Sequence, residues 1–362
     1  MSRSGGPSIR QLAESLDVSV ATVSRALNDH PEVSPETRER VLAYAAKANY
    51  QRRPQKRVGS RTIGLLYPSA PVSIELGNFE SALLSGIMSG LREQRYSLSI
   101  IDTEHDRKDG ESLADLLGRK GISGALVRTP GASSALLDEI AETNIDAVLL
   151  ADRSDNEHLN YIYCDSRADS ARVVDHLHHL GHRRIGLVMH DVLDHDHLDR
   201  LHGFRQGLDR YNIPFDESLV VKTSARSIDS GSRALDILLT RDNPPTAVYV
   251  TNPIPTVGLL HRCLELGLSV PDDLSIVGFD DRDTRFQTYP NYTAVWQDAA
   301  QIGLEAALWL SRRLEGVGAR SIRQRRSTMF SVHQTTGPAP ENPVRLSRDR
   351  VSLITNPQDN NA

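Results

Sequence analysis

Residues 8–41, SIRQLAESLDVSVATVSRALNDHPEVSPETRERV, have the pattern of a helix-turn-helix unit followed by a third helix. Apolar residues at helical spacing predict a first helix that breaks at Asp17 and Val18. Ser19 is a favourable N-cap residue, so a second helix is expected to begin there and to run through Asn28. The apolar residues of this second helix fall on one face and are expected to join a small core: Val20, Val23, Ala26 and Leu27.

The opposite face of the second helix carries small, hydroxyl-bearing and basic side chains: Ala21, Thr22, Ser24, Arg25 and Asn28. This composition suits a DNA major groove, because arginine can read guanine while hydroxyl and amide groups hold phosphates. A third helix is predicted from Pro35, with Ser34 as its cap, to about Ala48. The chain is therefore predicted to begin with an all-α helix-turn-helix head over residues 1–50.

The charges are distributed unevenly along the chain. The formal net charge of the 362 residues is −5. Residues 1–62 nevertheless hold eleven Lys and Arg against six Asp and Glu, which leaves +5 on this end and −10 on the remainder. A basic end on an acidic body directs polyanion binding to that end.

From Ile63 onward, short apolar runs alternate with amphipathic stretches. Strands alternating with helices predict an α/β body with parallel sheets covered by helices on both faces, and such sheets bind ligands at the carboxyl ends of their strands. About 275 residues of this pattern exceed one comfortable domain, so two lobes with a cleft between them are expected. Lobe one is expected at about 63–164 and 296–325, and lobe two at about 165–294 and 326–337.

The segments on either side of this body are polar. Residues 51–62 form a basic linker, and residues 338–362, rich in Pro, Asn and Arg, are expected to be a disordered tail without a leucine heptad. Two cysteines do not make a disulfide framework, and no apolar run at the amino end suggests a signal peptide or a membrane span. A cytoplasmic protein is therefore expected.

The chain resembles the lactose-repressor (LacI/GalR) family of transcription regulators. The head carries the most specific part of the resemblance, namely IRQLAESLDVSVATVSRALN, VSPETRERV and the pair NY at 49–50. The family's body resembles a two-lobed periplasmic sugar-binding protein with three crossovers. Further motifs follow in the expected order: IGLLYP at 63–68, SGALV at 123–127, LGHRRIGLV at 180–188, RLHGFRQGL at 200–208, VTN at 250–252, LSIVGFDD at 274–281 and TAVWQD at 293–298.

The resemblance implies which residues of the head contact DNA. Val20, Ala21 and Arg25 would read base edges. The groups that would hold the DNA backbone are Ser19, Thr22, Ser24, Asn28 and Tyr50. A plainer interpretation stays open for two of them, because Ser19 could act as a helix cap and Tyr50 could only pack against the three-helix core.

The linker departs from the family pattern. Arg52 stands where relatives usually have a proline, and the segment is about one helical turn short of a hinge helix with a leucine wedge. Val58 is the one apolar candidate for a wedge, so charge from Arg52 and Arg53, with Lys56 and Arg57, is expected to replace it. Weaker DNA bending and a steeper salt dependence would follow. A solvated basic linker without ordered contacts is the alternative.

For the effector cleft, the resemblance implies six residues near strand ends: Phe79, Asp152, Arg200, Asn252, Asp280 and Gln297. Carboxylates, amides and a guanidinium together suit sugar hydroxyls, which both donate and accept hydrogen bonds. Asp152 could instead pair with Arg153, and Asp280 could serve a cap or loop role. Pro253 replaces an acid that relatives usually carry, which leaves the ligand open between a sugar or sugar derivative and another metabolite.

The His- and Asp-rich run HDVLDHDHLD at 190–199 offers four residues that could bind a metal: His190, Asp194, His195 and His197. Their spacing matches no standard zinc pattern, and a polar loop at the cleft mouth explains them without a metal or cofactor. The sequence contains no GxSxG, GxGxxG, P-loop or HExxH motif that would indicate an enzyme. The expected function is a sequence-specific transcriptional regulator, a repressor, that binds operator DNA as a homodimer under effector control. A sugar-binding protein without a DNA role is the weaker alternative.

Overall fold

The computed structural model describes residues 7, 9–27, 33–48, 50, 61–68, 78–129, 134–143, 145–191, 194–347 and 350–353. The chain divides into two compact units, residues 1–55 and residues 56–362. Among the described residues, no helix is both long enough and apolar enough to cross a lipid bilayer.

The amino-terminal unit consists of three short helices, α1 (Ile9–Leu16), α2 (Val20–Leu27) and α3 (Pro35–Lys47). Ser34 caps α3, because its side chain accepts a hydrogen bond from the Thr37 amide, and Pro35 occupies the first turn. The apolar faces of the three helices enclose a small core: Leu12, Ala13, Val23, Ala26, Val33, Val41 and Ala45.

The sequence prediction for α2 is confirmed in its position and wrong in one core residue. Asp17 has a φ of 51° and turns the chain between α1 and α2. Val20 is 42% exposed, so it does not belong to the core. Val20 is the first residue of α2 and lies one turn before Val23, but its side chain faces outward. Val18, which precedes the helix, packs against the core in its place.

Lobe one is built on a six-stranded sheet in the order β11-β5-β4-β3-β1-β2, and every pairing is parallel. Its strands are β1 (Thr62–Tyr67), β2 (Ser97–Asp102), β3 (Gly124–Val127), β4 (Asp146–Leu150), β5 (Asn160–Asp165) and β11 (Arg323–Ser327). Helices α4 (Asn78–Gln94) and α11 (Ala299–Leu314) cover one face, and α5 (Leu113–Arg119) and α6 (Ser134–Glu142) cover the other. Both faces of the sheet are therefore buried, as parallel sheets require.

Lobe two repeats this plan in the order β12-β10-β9-β8-β6-β7. Its strands are β6 (Ile185–His190), β7 (Val220–Thr223), β8 (Ala247–Val250), β9 (Ser275–Asp280), β10 (Thr293–Trp296) and the antiparallel edge strand β12 (Met329–Ser331). Helices α7 (Arg167–His179) and α8 (His195–Arg210) pack on one face, and α9 (Ile228–Leu239) and α10 (Pro253–Glu265) on the other. The carboxyl ends of the parallel strands in each lobe form the edge where ligands bind in folds of this class.

Helices α4 and α11 pack with their backbones almost in contact. A Cβ on Gly86 would lie 1.8 Å from the carbonyl oxygen of Ala300, and a Cβ on Gly303 would lie 2.2 Å from that of Leu83. Glycine is therefore required at both positions, because a side chain there would collide with the facing backbone.

The chain crosses between the lobes three times, after β5, after β10 and after β11. The expected limits at 165, 296 and 326 are wrong by one or two residues. Trp296 still pairs with Asp280 in lobe two, and Ser327 still pairs with Asp165 in lobe one. The ladders of hydrogen bonds, rather than the end of each apolar run, decide where the chain leaves a sheet.

The expected disordered tail is also wrong for residues 338–347 and 350–353. Strands β13 (Val344–Ser347) and β14 (Arg350–Leu353) pair antiparallel. Val344 and Leu346 are 2% and 6% exposed and belong to the lobe-two core. Alternation of apolar and polar residues over these four positions outweighs the polar composition of the segment, because it lets two side chains bury on one face.

Leu346→Ala is expected to lower the free energy of unfolding by about 2–3 kcal/mol, because it removes a buried side chain from the core. Glu341, exposed just before β13, provides the control variant Glu341→Ala. Urea denaturation followed by fluorescence measures both changes. Equal stabilities for the two variants would show that the hairpin does not pack against lobe two.

Candidate functional site

The amino terminus of α2 is organised by Ser19. Its hydroxyl oxygen accepts a hydrogen bond from the Thr22 amide at 3.0 Å and lies 2.8 Å from the Thr22 hydroxyl. Ser19 therefore acts as an N-cap, one of the two roles considered for it. The cap fixes the first turn of α2 and with it the direction in which the outer face points.

The outer face of α2 is accessible. Val20, Ala21 and Arg25 are exposed, and Thr22 and Ser24 beside them are half-buried. Tyr50 is half-buried and packs against the three-helix core, as the plainer interpretation of this residue expected. Asn28, Arg52 and Arg53 lie outside the described residues, as do Lys56, Arg57 and Val58.

In the second unit, charged side chains at the strand ends of the two lobes meet directly across the cleft. The Asp152 carboxylate, after β4, lies 2.6 Å from Nδ1 of His195 at the start of α8. The Arg153 guanidinium donates to both carboxylate oxygens of Asp199 at 2.5 and 3.0 Å. Within the part of the chain that the structure describes, a bidentate ion pair and a His–Asp contact thus join the lobes.

Asp152 is 4% exposed, and its oxygens have three hydrogen-bond partners among the described residues. Besides His195, they accept from the Thr129 hydroxyl at 3.0 Å and from the Arg153 amide at 2.8 Å. The alternative of a salt bridge to Arg153 does not form, because that guanidinium is engaged by Asp199.

Arg200 lies on α8 below the cleft and is 4% exposed. One guanidinium nitrogen, Nη1, donates to the Thr251 carbonyl at 2.7 Å, and Cζ lies 3.6 Å from the centre of the Phe279 ring. Nη2 is 3.7 Å from the nearest oxygen of Asp196, and Nε has no hydrogen-bond partner among the described residues. Arg200 therefore keeps unused donors inside the cleft.

Asn252 is 8% exposed and stands at the N-cap position of α10, without a side-chain capping bond. Its Oδ1 accepts only a long hydrogen bond, 3.4 Å, from the Thr251 hydroxyl. Pro253 follows as the first residue of the helix, where a missing N–H costs nothing. Among the described residues, the amide nitrogen of Asn252 has no hydrogen-bond partner and can contact a ligand.

Asp280, in contrast, is occupied by the protein itself. Its carboxylate accepts from Nη1 of Arg285 at 2.6 Å. It also accepts from four backbone amides of the following loop, those of residues 281, 282, 284 and 285. This is the loop role that stood as the alternative for Asp280. The neighbouring Asp281 instead receives the Gln297 amide at 2.8 Å, and burial raises its pKa.

Phe79 lies in the lobe-one wall of the cleft. The guanidinium of Arg128 lies 5.0 Å from the centre of its ring and donates to Glu80 at 2.7 Å. Burial would raise the pKa of Glu80, but Arg128, together with hydrogen bonds from Arg128 and Tyr67, holds it below its usual value. This wall therefore presents a neutralised pair rather than a free charge.

The His- and Asp-rich run does not form a metal site in the part of the chain that the structure describes. Asp194 caps α8 through the His197 amide, and Nδ1 of His197 lies 2.6 Å from the same carboxylate. Burial and the charge of Arg226 lower the pKa of His190 to about 4. The segment from His195 is helical rather than a loop, because Asp194 supplies a cap that the sequence prediction overlooked.

Comparisons with known proteins agree with these two units. Residues 8–53 match the family model "Bacterial regulatory proteins, lacI family", and residues 174–336 match the "Periplasmic binding protein-like domain". The HTH-type transcriptional repressor CytR of Escherichia coli K12 is 31% identical over 317 residues, which cover 85% of this chain and 90% of CytR. The chain belongs to the LacI family of bacterial regulatory proteins.

Two solved structures of transcription regulators extend the match to the fold. A complex of the transcriptional regulator CelR with cellobiose has a TM-score of 0.68 and 25% identity, and the match covers 91% of this chain and 99% of CelR. The lac repressor dimer bound to operator and the anti-inducer ONPF has a TM-score of 0.64 and 27% identity, with 92% and 100% coverage. The predicted fold class is confirmed. The protein is a DNA-binding transcriptional regulator with an effector-binding domain, and not an enzyme.

Sequence reasoning overlooked three residues of this LacI-family cleft, Asp196, Arg226 and Asp281. Asp281 could have been found as the second acid of LSIVGFDD, and Asp196 by placing the start of α8 correctly. Arg226 lies in the loop between β7 and α9, outside every motif of the resemblance. Its position in the cleft follows only from the three-dimensional arrangement.

Asp196 is expected to make the stability of the regulator depend on pH. Burial raises its pKa to about 7, with Asp194 and Asp152 adding to the rise against the charge of Arg200. A carboxyl group with a raised pKa stabilises the folded state fully below its unfolded pKa of about 4, and that contribution is lost as pH rises to about 7. From pH 5 to pH 8, the wild-type free energy of unfolding should fall by roughly 2–3 kcal/mol relative to that of Asp196→Asn.

Urea denaturation at pH 5, 6, 7 and 8 measures this difference. Asp109→Asn, in an exposed turn, is the control and should keep the wild-type slope. Parallel pH profiles for the wild type and Asp196→Asn would contradict a buried, titrating Asp196.

Proposed function

We propose that this regulator is a cytoplasmic repressor that binds operator DNA as a homodimer through α2 and responds to a small polar effector in the interlobe cleft. The observation that carries the DNA-binding part is the capped, outward-facing surface of α2 with Arg25 exposed on it. A two-fold dimer reads two half-sites and therefore expects a palindromic operator.

Within the head, the side chains divide by chemistry. Arg25 offers a fork of donors to guanine, while Val20 and Ala21 offer apolar surface to a thymine methyl group. Thr22 and Ser24 hold phosphates, and Ser19 combines capping with a backbone contact. Asn28 and Tyr50 are assigned to the DNA backbone on the sequence resemblance, and Arg52 and Arg53 on their charge.

The cleft contains mixed donors and acceptors, as a polyhydroxylated ligand requires. Asn252, Gln297 and Asp281 line one side with amide and carboxyl groups, and Arg200 contributes spare N–H donors. The CelR structure holds cellobiose, which supports a sugar or sugar derivative here. A non-sugar metabolite is the second candidate, because Pro253 replaces the acid that relatives usually carry.

Helix α4 provides a route from the cleft to the linker. Phe79 and Glu80 at its amino end belong to the cleft wall. At its other end, the guanidinium of Arg61 donates to the carbonyls of Gln94 and Arg95 at 2.5 and 3.1 Å. An effector that displaces Phe79 would thus move the point where the linker enters lobe one, and the free energy of that change would couple the two ligands.

The DNA-binding proposal is tested by selecting duplexes from a random library with the wild-type protein. Arg25→Lys keeps the charge but loses the guanidinium fork. Its affinity for the selected duplex should fall by about 1–3 kcal/mol, or roughly 5–150-fold. Its affinity for random duplex should change by less than about twofold, because that binding depends on charge.

Fluorescence anisotropy at one fixed salt concentration gives both constants. Arg233→Lys, on the exposed face of α9, is the matched control and should leave both unchanged. If the wild type enriches no sequence, the proposal of a sequence-specific repressor fails. Equal losses of affinity for the selected and the random duplex would instead show that Arg25 does not contact the bases.

The ion pair across the cleft gives a second prediction. Arg153→Gln should lower the free energy of unfolding by about 2–3 kcal/mol, because the Asp199 carboxylate is 1% exposed and loses its bidentate partner. Adding Asp199→Asn should restore part of this loss, since no buried charge is then left unpaired. Arg233→Gln breaks the exposed pair with Asp229 and should cost less than about 1 kcal/mol. A loss for Arg153→Gln within that range would show that the lobes are not held by this pair.

A further inference from the structure

We propose that the effector carries an anionic group, a phosphate or a carboxylate, which binds between Arg226 and Arg200 at the lobe-two side of the cleft. This inference rests on the proposed function, because it names the chemistry of the ligand that the cleft receives. It places a sugar phosphate or a sugar acid ahead of a neutral sugar.

Arg226 is the residue on which the proposed anion site mainly depends. It follows β7 and directly precedes Ser227, the N-cap of α9, and part of its side chain remains accessible to solvent. Among the described residues, it forms no salt bridge and no side-chain hydrogen bond. Across the cleft it lies close enough to Glu80 and Arg128 of lobe one for their charges to interact with its own.

The other arginines around the cleft are neutralised within the protein. Arg128 pairs with Glu80 at 2.7 Å, Arg153 with Asp199 at 2.5 Å, and Arg285 with Asp280 at 2.6 Å. The pKa of Arg226 is lowered by burial and by the charges of Arg128 and Arg200, against Asp194 and Asp281. The six other described arginines with a shifted pKa all have it raised: Arg119, Arg128, Arg153, Arg233, Arg262 and Arg326. Positive charge is thus under-compensated at Arg226.

Arg200 supplies the second cation. It is 4% exposed, Nη1 donates to the Thr251 carbonyl, Nη2 lies 3.7 Å from Asp196, and Nε has no hydrogen-bond partner among the described residues. A buried guanidinium with unused donors is costly, because it has lost water without gaining acceptors. An oxyanion supplies several acceptor atoms at once and matches the guanidinium geometry.

Three acidic residues also face this part of the cleft: hydrogen bonds within the protein engage Asp194 and Asp281, and burial raises the pKa of Asp196. Asp194 is committed to His197 through the amide and Nδ1. Asp281 is engaged by Gln297. Burial raises the pKa of Asp196 to about 7, so a second anion nearby would favour its protonated form. His190 has its pKa lowered to about 4 and adds no positive charge of its own.

Inorganic phosphate is the probe for this site, with acetate as the carboxylate arm. At constant ionic strength and pH 8, replacing chloride by about 50 mM of either anion should raise the melting temperature of the full-length wild type by about 2–4 °C if that anion occupies the site. Lys222→Gln, which removes one exposed charge from the same strand β7, is the matched control and should show the same rise. Arg226→Gln should lose most of it, and Arg226→Lys should keep part.

Glucose, glucuronate and glucose 6-phosphate then test the same difference on sugars. A rise for phosphate and glucose 6-phosphate assigns a phosphate, and a rise for acetate and glucuronate assigns a carboxylate. The proposal is overturned if neither anion raises the melting temperature of the wild type above its value in chloride. It is also overturned if Arg226→Gln has the wild-type melting temperature in chloride and still shows the full rise with the anion. Operator selection by the wild type is independent of these measurements, so failure here leaves the repressor assignment standing.

Discussion

The pair between Arg153 and Asp199 is the contact on which the geometry of the cleft depends. Asp199 is 1% exposed, and a carboxylate removed from water requires a counter-charge and hydrogen bonds. Arg153 of lobe one supplies both through two parallel bonds, and Arg167 adds a third contact at 3.3 Å. Without lobe one, Asp199 would keep, among the described residues, only the longer contact from Arg167. Opening the cleft would remove the Arg153 partner of this carboxylate and therefore cost free energy. The closed arrangement of the lobes is thus favoured over open ones.

The first two turns of helix α8 carry most of the contacts that shape the cleft. Asp194 caps the helix, His195 reaches across to Asp152, Asp199 receives Arg153, and Arg200 turns inward beneath Phe279. Residues three and four apart share a helix face, so one helix end can address both the opposite lobe and the interior of the cleft. The unusual density of His and Asp in this segment is explained by these separate contacts. A shared metal would need the same side chains to converge on one point.

The parts of the structure that local pattern determines could be predicted from the sequence, and those that depend on tertiary packing could not. The helix starts could be predicted from the capping residues Ser19 and Ser34 and from Pro35. The alternation of apolar runs with amphipathic stretches predicts both parallel sheets. Val20 obeys helical spacing and is still exposed, because Val18 fills the adjacent core position. Likewise, the motif LSIVGFDD locates two acids at a strand end, but only the loop that wraps around Asp280 shows which of them is already satisfied.

The protein can share its fold with the family and still bind a ligand of its own, because fold and ligand choice depend on different residues. The strand ends fix where a ligand lies, since the parallel ladders and the packing of α4 against α11 leave the backbone little freedom. What binds there is decided by the charge that remains after each internal pair has formed. Glu80, Asp199 and Asp280 cancel three arginines of the cleft, and none of them cancels Arg226. Because Arg226 comes from a loop between an edge strand and α9, it can change without disturbing either core, so ligand chemistry can vary while the fold is kept.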